Sequence, residues 1–384
     1  MIKRLSVAIL CLLFCGLVAL PAVQAAEEKK PAKATQAQAE EKKPEKAAPA
    51  AQTEAKKLPK VTILGTGGTI AGSGGSATQL TGYKPGDLTA DQLIAAVPGL
   101  KDFADISAEQ VANIGSYDMT TEIWLKLAKR ANELLSKDTD GIVITHGTDT
   151  QEETVYFLNL TVKSEKPVVT VGAMRPATAI SADGPLNLLQ AVAVAGSKEA
   201  RGKGSLLVMN GEINGAREVT KTNTLQPETF RSNDLGFLGY VVNNAPVFYR
   251  TSLRKHTKDS EFDVSKLTAL PKVEIVYTYV DSGLDALKGV IAGKAEGIVI
   301  AGMGNGSVSS EMLKVMKEAV AQGIVIVRSS RTGTGMITFD PKKGDDAGVV
   351  AADSLNPQKA RILLMLALTK TKDPKDIRRI FATY

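Results

Sequence analysis

Three short stretches carry the side chains that a covalent hydrolytic step would need. Thr66 and Thr69 stand in Gly65-Thr-Gly-Gly-Thr69-Ile-Ala-Gly72, directly behind an apolar run at 61–64. Thr148 and Asp149 stand in Thr145-His-Gly-Thr148-Asp149-Thr-Gln-Glu-Glu153, directly behind another at 141–145. Lys221 stands in Arg217-Glu-Val-Thr-Lys221-Thr-Asn223. A threonine hydroxyl is a weak nucleophile at its own pKa, so it needs an adjacent base and a third group that orients the base.

The choice of base narrows by elimination. Both cysteines, Cys11 and Cys15, lie in an N-terminal apolar run, so the rest of the chain has no thiol for attack, for a disulfide or for a metal. His256 lies in a polar connector and reads as solvated. His146 precedes a glycine turn and reads as locally bonded. What remains is a lysine whose charge is suppressed by burial or tuned by a carboxylate, and Lys221, set among short polar residues, fits that description. Taken alone, the same residue also reads as a surface lysine. The Gly65–Gly72 segment also reads as a turn whose threonines tie up backbone, and Asp149 with Glu152, or Thr150 with Glu153, has the spacing of a helix capping box.

Other chemistries lack their motifs. Registered on Gly65, a Gly-x-Gly-x-x-Gly pattern would end on Ile70, and Gly-rich loop follows rather than the helix that would hold a pyrophosphate. HExxH, Cys-x-x-Cys, Walker and EF-hand spacings are missing, so neither a metal nor a cofactor is expected.

These residues need a scaffold that brings distant strand ends together. Met1 to Arg4 and an apolar run to Leu20, followed by Val23-Gln-Ala-Ala26, read as a secretory signal peptide over residues 1–25. Residues 26–57, almost wholly Ala, Glu, Lys, Pro and Gln, read as a disordered linker. The first 57 residues hold 10 of the 47 Lys/Arg and 6 of the 41 Asp/Glu, so the net charge of +6 shrinks to 37 against 35 beyond them. That balance offers no electrostatic footprint for nucleic acid or for a membrane surface.

Apolar runs at 61–64, 141–145, 167–172 and 205–209 alternate with helical periods at 120–135 and 183–195. This is the pattern of an open, mainly parallel α/β sheet, expected over residues 58–250. After a connector at 251–271, runs at 273–279, 297–301 and 324–327 predict a smaller α/β domain over 272–384. Open sheets of this kind bind ligands at the carboxyl ends of their strands, where Thr69 and Thr148 fall.

Together the Thr-Gly-Gly-Thr69-Ile-Ala-Gly, Thr145-His-Gly-Thr148-Asp149-Thr-x-Glu-Glu, Gly172-Ala-Met-Arg-Pro176, Ser181-Ala-Asp-Gly-Pro185 and Val219-Thr-Lys221-Thr-Asn motifs resemble the bacterial type II L-asparaginases and glutaminase-asparaginases, from about Leu58 to Tyr384. Ser354-Leu-Asn-Pro-Gln-Lys-Ala-Arg361 adds a family-like ending.

The resemblance implies hydrolysis of L-asparagine to L-aspartate and ammonia through an acyl-threonine on Thr69, in the periplasm and without a cofactor. L-Glutamine is the alternative substrate, and a non-catalytic periplasmic amino-acid binding protein is the rival of another class. Thr148, Asp149 and Lys221 would transfer protons, and Tyr83 would orient Thr69 from a lid hinged at Gly74-Gly75. Ser116 would hold the substrate's α-carboxylate and Asp149 its α-ammonium, while backbone near Thr148 and Ala173 would stabilise the oxyanion or the departing amide. Ser307, in Gly302-Met-Gly-Asn-Gly-Ser307, would complete a neighbouring subunit's site in a homotetramer built as a pair of close dimers. Two positions depart from the family. Tyr117 follows Ser116 where Gln or Glu is usual, and Pro341-Lys-Lys343 stands where an acidic residue is usual, with Asp340 beside it.

Overall fold

The computed structural model describes residues 57–384; the expected signal peptide and all but the last residue of the linker lie outside them. Ten strands, β1 (Lys60–Gly67), β2 (Asp105–Ile114), β3 (Gly141–Thr145), β4 (Val168–Val171), β5 (Ser205–Met209), β6 (Glu212–Gly215), β7 (Thr220–Lys221), β8 (Phe230–Arg231), β9 (Gly239–Val242) and β10 (Ala245–Phe248), precede residue 250. Eight of them form one sheet in the order β10-β9-β6-β5-β4-β3-β1-β2, and β7 pairs with β8 alone. The pairings from β2 through β5 are parallel, and those from β5 to β10 are antiparallel.

Four more strands, β11 (Val273–Tyr277), β12 (Gly297–Gly302), β13 (Val325–Ser330) and β14 (Val350–Ala351), make a second, wholly parallel sheet. The mainly parallel large sheet and the separate small one are the α/β architecture that the alternating runs predicted. Segment 251–271, between the sheets, contains no strand. It is less polar in effect than its composition suggested, because Phe262 and Val264 are buried in the core.

The helices are α1 (Ala90–Ala95), α2 (Thr121–Leu135), α3 (Gln151–Thr161), α4 (Gly184–Ala195), α5 (Asp285–Ala292), α6 (Ser310–Ala321), α7 (Pro357–Leu368) and α8 (Pro374–Thr383). Among the described residues, none is long and apolar enough to cross a membrane.

Strand alternation decides which helix packs where. Leu64, Ile142 and Ile144 face a core shared with α2, α3, α7 and Val299 of β12, whereas Ile63 and Val143 face the core under α1 and α4. Ile298 and Ile300 point the other way from Val299, towards α5 and α6. Both faces of the central strands are covered, which is why β1 and β3 read as continuous apolar runs. Strand β2 escaped that reading: it is an edge strand whose residues are exposed or half-buried throughout.

Strand order fixes the site. From β1 the chain moves to β2 on one side, then returns to β3 on the other, and the helices that follow β1 and β3 pack on opposite faces of the sheet, leaving a crevice at the carboxyl ends of these strands.

Candidate active site

Glycines let the two strand-end loops meet. Gly67 and Gly68 have φ of 100° and 80°, where a side chain would be strained. A Cβ on Gly68 would lie 2.2 Å from the Gly147 nitrogen, and one on Gly147 would lie 2.7 Å from Ser116 Oγ. Three loops thus converge with no side chain between them, and Thr69, Ser116 and Thr148 follow directly, all buried. Thr66 is spent differently: its hydroxyl donates to the Thr145 carbonyl at 2.7 Å and ties β1 to β3.

Thr69 Oγ1 is 2.6 Å from the hydroxyl of Tyr83. The loop carrying Tyr83 is fixed by reciprocal backbone bonds between Ser73 and Lys84 and by Gly86 N–H to Gly68 O at 3.0 Å. Its Gly74 end is bonded to Thr178 Oγ1 at 2.9 Å, so the segment lies down over the crevice. Burial pushes the Tyr83 phenol above its ordinary pKa, so at neutral pH the group beside Thr69 is a protonated hydroxyl.

Across the cavity, Lys221 Nζ donates to Thr148 Oγ1 at 2.9 Å and to Asp149 Oδ1 at 2.6 Å. The lysine side chain is 17% exposed and that of Asp149 59%, so the carboxylate that pairs the amine also faces incoming solute. Of the two surroundings that sequence reasoning offered for this lysine, the neighbouring carboxylate is present as Asp149. A cavity of about 260 Å³ is lined by Thr69, Tyr83, Ser116, Tyr117, Thr148, Asp149 and Lys221. A larger cavity of about 620 Å³ lies elsewhere, and its buried Arg217 is committed to Asp353, Ser354 and the Tyr384 carbonyl.

The structure gathers seven of the sequence-derived residues and leaves two outside. Ala173 is fully buried beside Met174, and it is Met174 that lines the cavity. Ser307 sits in the turn after β12, bonded backbone to backbone with Met303, away from this cavity. Tyr117 is 67% exposed, its ring lying over Gly115, where a Cβ would come within 2.4 Å of the ring. Asp340 caps a short turn through Lys342 N–H at 3.0 Å, and Lys342 is exposed.

Neither histidine is a base for Thr69. His146 is fully buried; its Nδ1–H donates to the Gly147 carbonyl at 2.7 Å and its Nε2 accepts from Thr154 Oγ1 at 2.8 Å. Burial takes its pKa down to about 4, leaving it a neutral structural link. His256 is half-buried against Gly204 rather than solvated, and its pKa is also lowered by burial.

The capping-box reading does not hold. Thr150 is the N-cap of α3, but its hydroxyl donates to the Ser116 carbonyl at 2.8 Å and caps nothing. Glu152 turns away from the helix start and accepts from Lys221 N–H, a contact behind the site that spacing alone did not show. Sequence reasoning also missed Asp183, whose carboxylate accepts from the amides of Met174 and Arg175 at 2.9 Å each and holds the loop beside the cavity. Among the described residues, no group of three or more His, Cys, Asp or Glu is placed to hold a metal ion.

Residues 60–254 match the family model "Asparaginase, N-terminal", and residues 272–381 match "Glutaminase/Asparaginase C-terminal domain". The chain is 53% identical over 334 residues to L-asparaginase 2 of Bacillus subtilis, covering 86% of this chain and 88% of that protein. It is 52% identical to L-asparaginase 2 of Escherichia coli, covering 86% and 94%. With the glutaminase-asparaginase of Pseudomonas fluorescens the identity is 49%, covering 85% and 91%. The crystal structure of a probable cytoplasmic L-asparaginase from Campylobacter jejuni superposes with a TM-score of 0.83 at 52% identity, covering 85% of this chain and all of that one.

Proposed function

The chain belongs to the asparaginase family and is an amidohydrolase that converts L-asparagine to L-aspartate and ammonia, and we propose that it does so through an acyl ester on Thr69. The observation that carries this reading is the pair of contacts facing one small cavity, Thr69 with Tyr83 and Thr148 with Lys221 and Asp149.

In the first half, Thr69 Oγ1 bonds to the side-chain amide carbon, the C–N bond breaks, and ammonia leaves. The hydroxyl proton that Thr69 gives up is delivered to the departing nitrogen through Thr148 and Lys221, which end the step in the protonation state in which they began. In the second half, water attacks the ester carbon, the bond from that carbon to Thr69 Oγ1 breaks, and Thr148 and Lys221 relay the proton that water loses to Thr69 Oγ1. Bond for bond, asparagine and water become aspartate and ammonia. Ser116 and Asp149 recognise the α-carboxylate and α-ammonium. Tyr117 offers the amine a hydroxyl and no charge. Amide groups near Thr148 and Ala173 steady the oxyanion.

L-Glutamine differs by one methylene, worth about 1–3 kcal/mol in a pocket. The name of the P. fluorescens relative supports a second activity, and comparing kcat/KM for the two amides measures it.

Export to the periplasm, after cleavage behind Ala25, is supported by the apolar N-terminal run and by a 53% identical Haemophilus influenzae relative named as periplasmic. A homotetramer of close dimers, with Ser307 completing a neighbour's cavity, is supported by exposed apolar Tyr277, Tyr279 and Val280 at the strand end nearest the turn that holds it. A Thr69→Ala variant that releases no ammonia yet still binds aspartate supports the enzyme. Aspartate binding without turnover in the wild type favours the binding-protein reading.

A further inference from the structure

Lys221 occupies a two-residue strand that pairs only with β8. Such a strand is too short to fix an amine by its own ladder, so something else must hold it within hydrogen-bond reach of Thr148. The carboxylate of Glu152, 4% exposed, meets that need. Its Oε2 accepts from the backbone N–H of Lys221 at 2.5 Å and from Thr220 Oγ1 at 2.6 Å. Its Oε1 accepts from Asn356 Nδ2 at 3.0 Å and from Gln358 Nε2 at 2.6 Å.

Four donors meet one buried carboxylate, two from the Lys221 strand and two from the start of α7, which packs beneath the second sheet. One residue on, Lys359 is fully buried and donates to the carbonyls of Ala216 and Arg217 at 2.9 and 3.0 Å and to that of Val219. The residues leading into β7 are therefore held from the same helix.

We propose that Glu152 is the positioning residue for Lys221, and that through it Asn356 and Gln358 make the placement of the reacting amine depend on the second sheet. The proposal rests on Lys221 acting in proton transfer. Glu152 itself touches neither substrate nor reacting atoms. A glutamine in its place would present an N–H₂ to one of the two donor pairs and release it, because an amide cannot accept on both sides.

The test is a double-mutant cycle on the full chain, reading kcat and KM for L-asparagine. Glu152→Gln should lower kcat roughly 10²-fold, the usual weight of a proton-transfer group. Gln358→Ala, at a half-buried side chain, should lower it about three- to tenfold, with KM within about twofold of wild type. In a Lys221→Met background both substitutions should change the remaining rate less than about twofold, because the group they position is gone.

If Glu152→Gln fails to fold, the Gln358→Ala cycle alone decides. Equal losses in the wild-type and Lys221→Met backgrounds would overturn the proposal in favour of a general structural role. Unchanged kcat in both single variants, with Lys221→Met inactive, would overturn it too. Full activity in Lys221→Met would instead overturn the proton-transfer reading on which it rests.

Discussion

Gly68 and Gly147 meet backbone to backbone, so closely that a Cβ on the first would stand 2.2 Å from the nitrogen of the second. That approach sets the loop carrying Thr69 against the loop carrying Thr148. Gly68→Ala adds a methyl that cannot fit, at a φ of 80° where alanine is strained. The variant should lose at least about 10²-fold in kcat, since small misplacements of reacting groups cost that much. Steady-state ammonia release, with circular dichroism as a check on folding, measures it.

Lys221→Met keeps the length of the side chain and removes its nitrogen, leaving Thr148 without its 2.9 Å partner. Turnover should fall at least about 10²-fold while the variant still folds. Near-normal turnover would remove Lys221 from proton transfer.

Glu153, beside Glu152 at the start of α3, has its pKa pushed up to about 7, first by burial and then by the neighbouring carboxylate. A carboxyl with a raised folded pKa binds more protons folded than unfolded, so its contribution to stability is present below its ordinary pKa and is lost as pH rises through about 7. The ceiling on that loss is about 3 kcal/mol. Glu153→Gln removes the titration. At matched scan rates its melting temperature should gain on wild type at pH 8 relative to pH 4.5, and a constant difference would contradict the shift.

If a neighbour's Ser307 completes each cavity, Thr69→Ala and Ser307→Arg chains should each be weak alone. Mixed by unfolding and refolding together, they should regain a fraction of wild-type activity, because some cavities receive an intact Thr69 and an intact neighbouring Ser307. Light scattering on the wild type should report four chains. A monomer at working concentration, or no recovery on mixing, would argue against a shared site.

Much of the fold was legible because the central strands are covered on both faces. Burial makes β1, β3, β4 and β5 continuous apolar runs, and helix α2 announced itself by its period. Strand β2, at the open edge and without an apolar run, carried no such signal. The residues that line the candidate site were legible through the glycines that open the strand ends and through the family's motifs.

Glu152 was hidden for a physical reason. A glutamate in the first turn of a helix has a local use as a cap, and only the tertiary fold brings Lys221, Asn356 and Gln358 to it. Asp183 was hidden likewise, as the residue before a helix, until the fold set its carboxylate under the amides of Met174 and Arg175.

Acid-quenching the wild type during turnover of L-asparagine, followed by peptide mass spectrometry, tests the assignment of Thr69 most directly. An aspartyl ester is expected on the peptide that contains Thr69 and is expected to be absent from Thr69→Ala. An ester on the peptide containing Thr148, or undiminished ammonia release by Thr69→Ala, would contradict it.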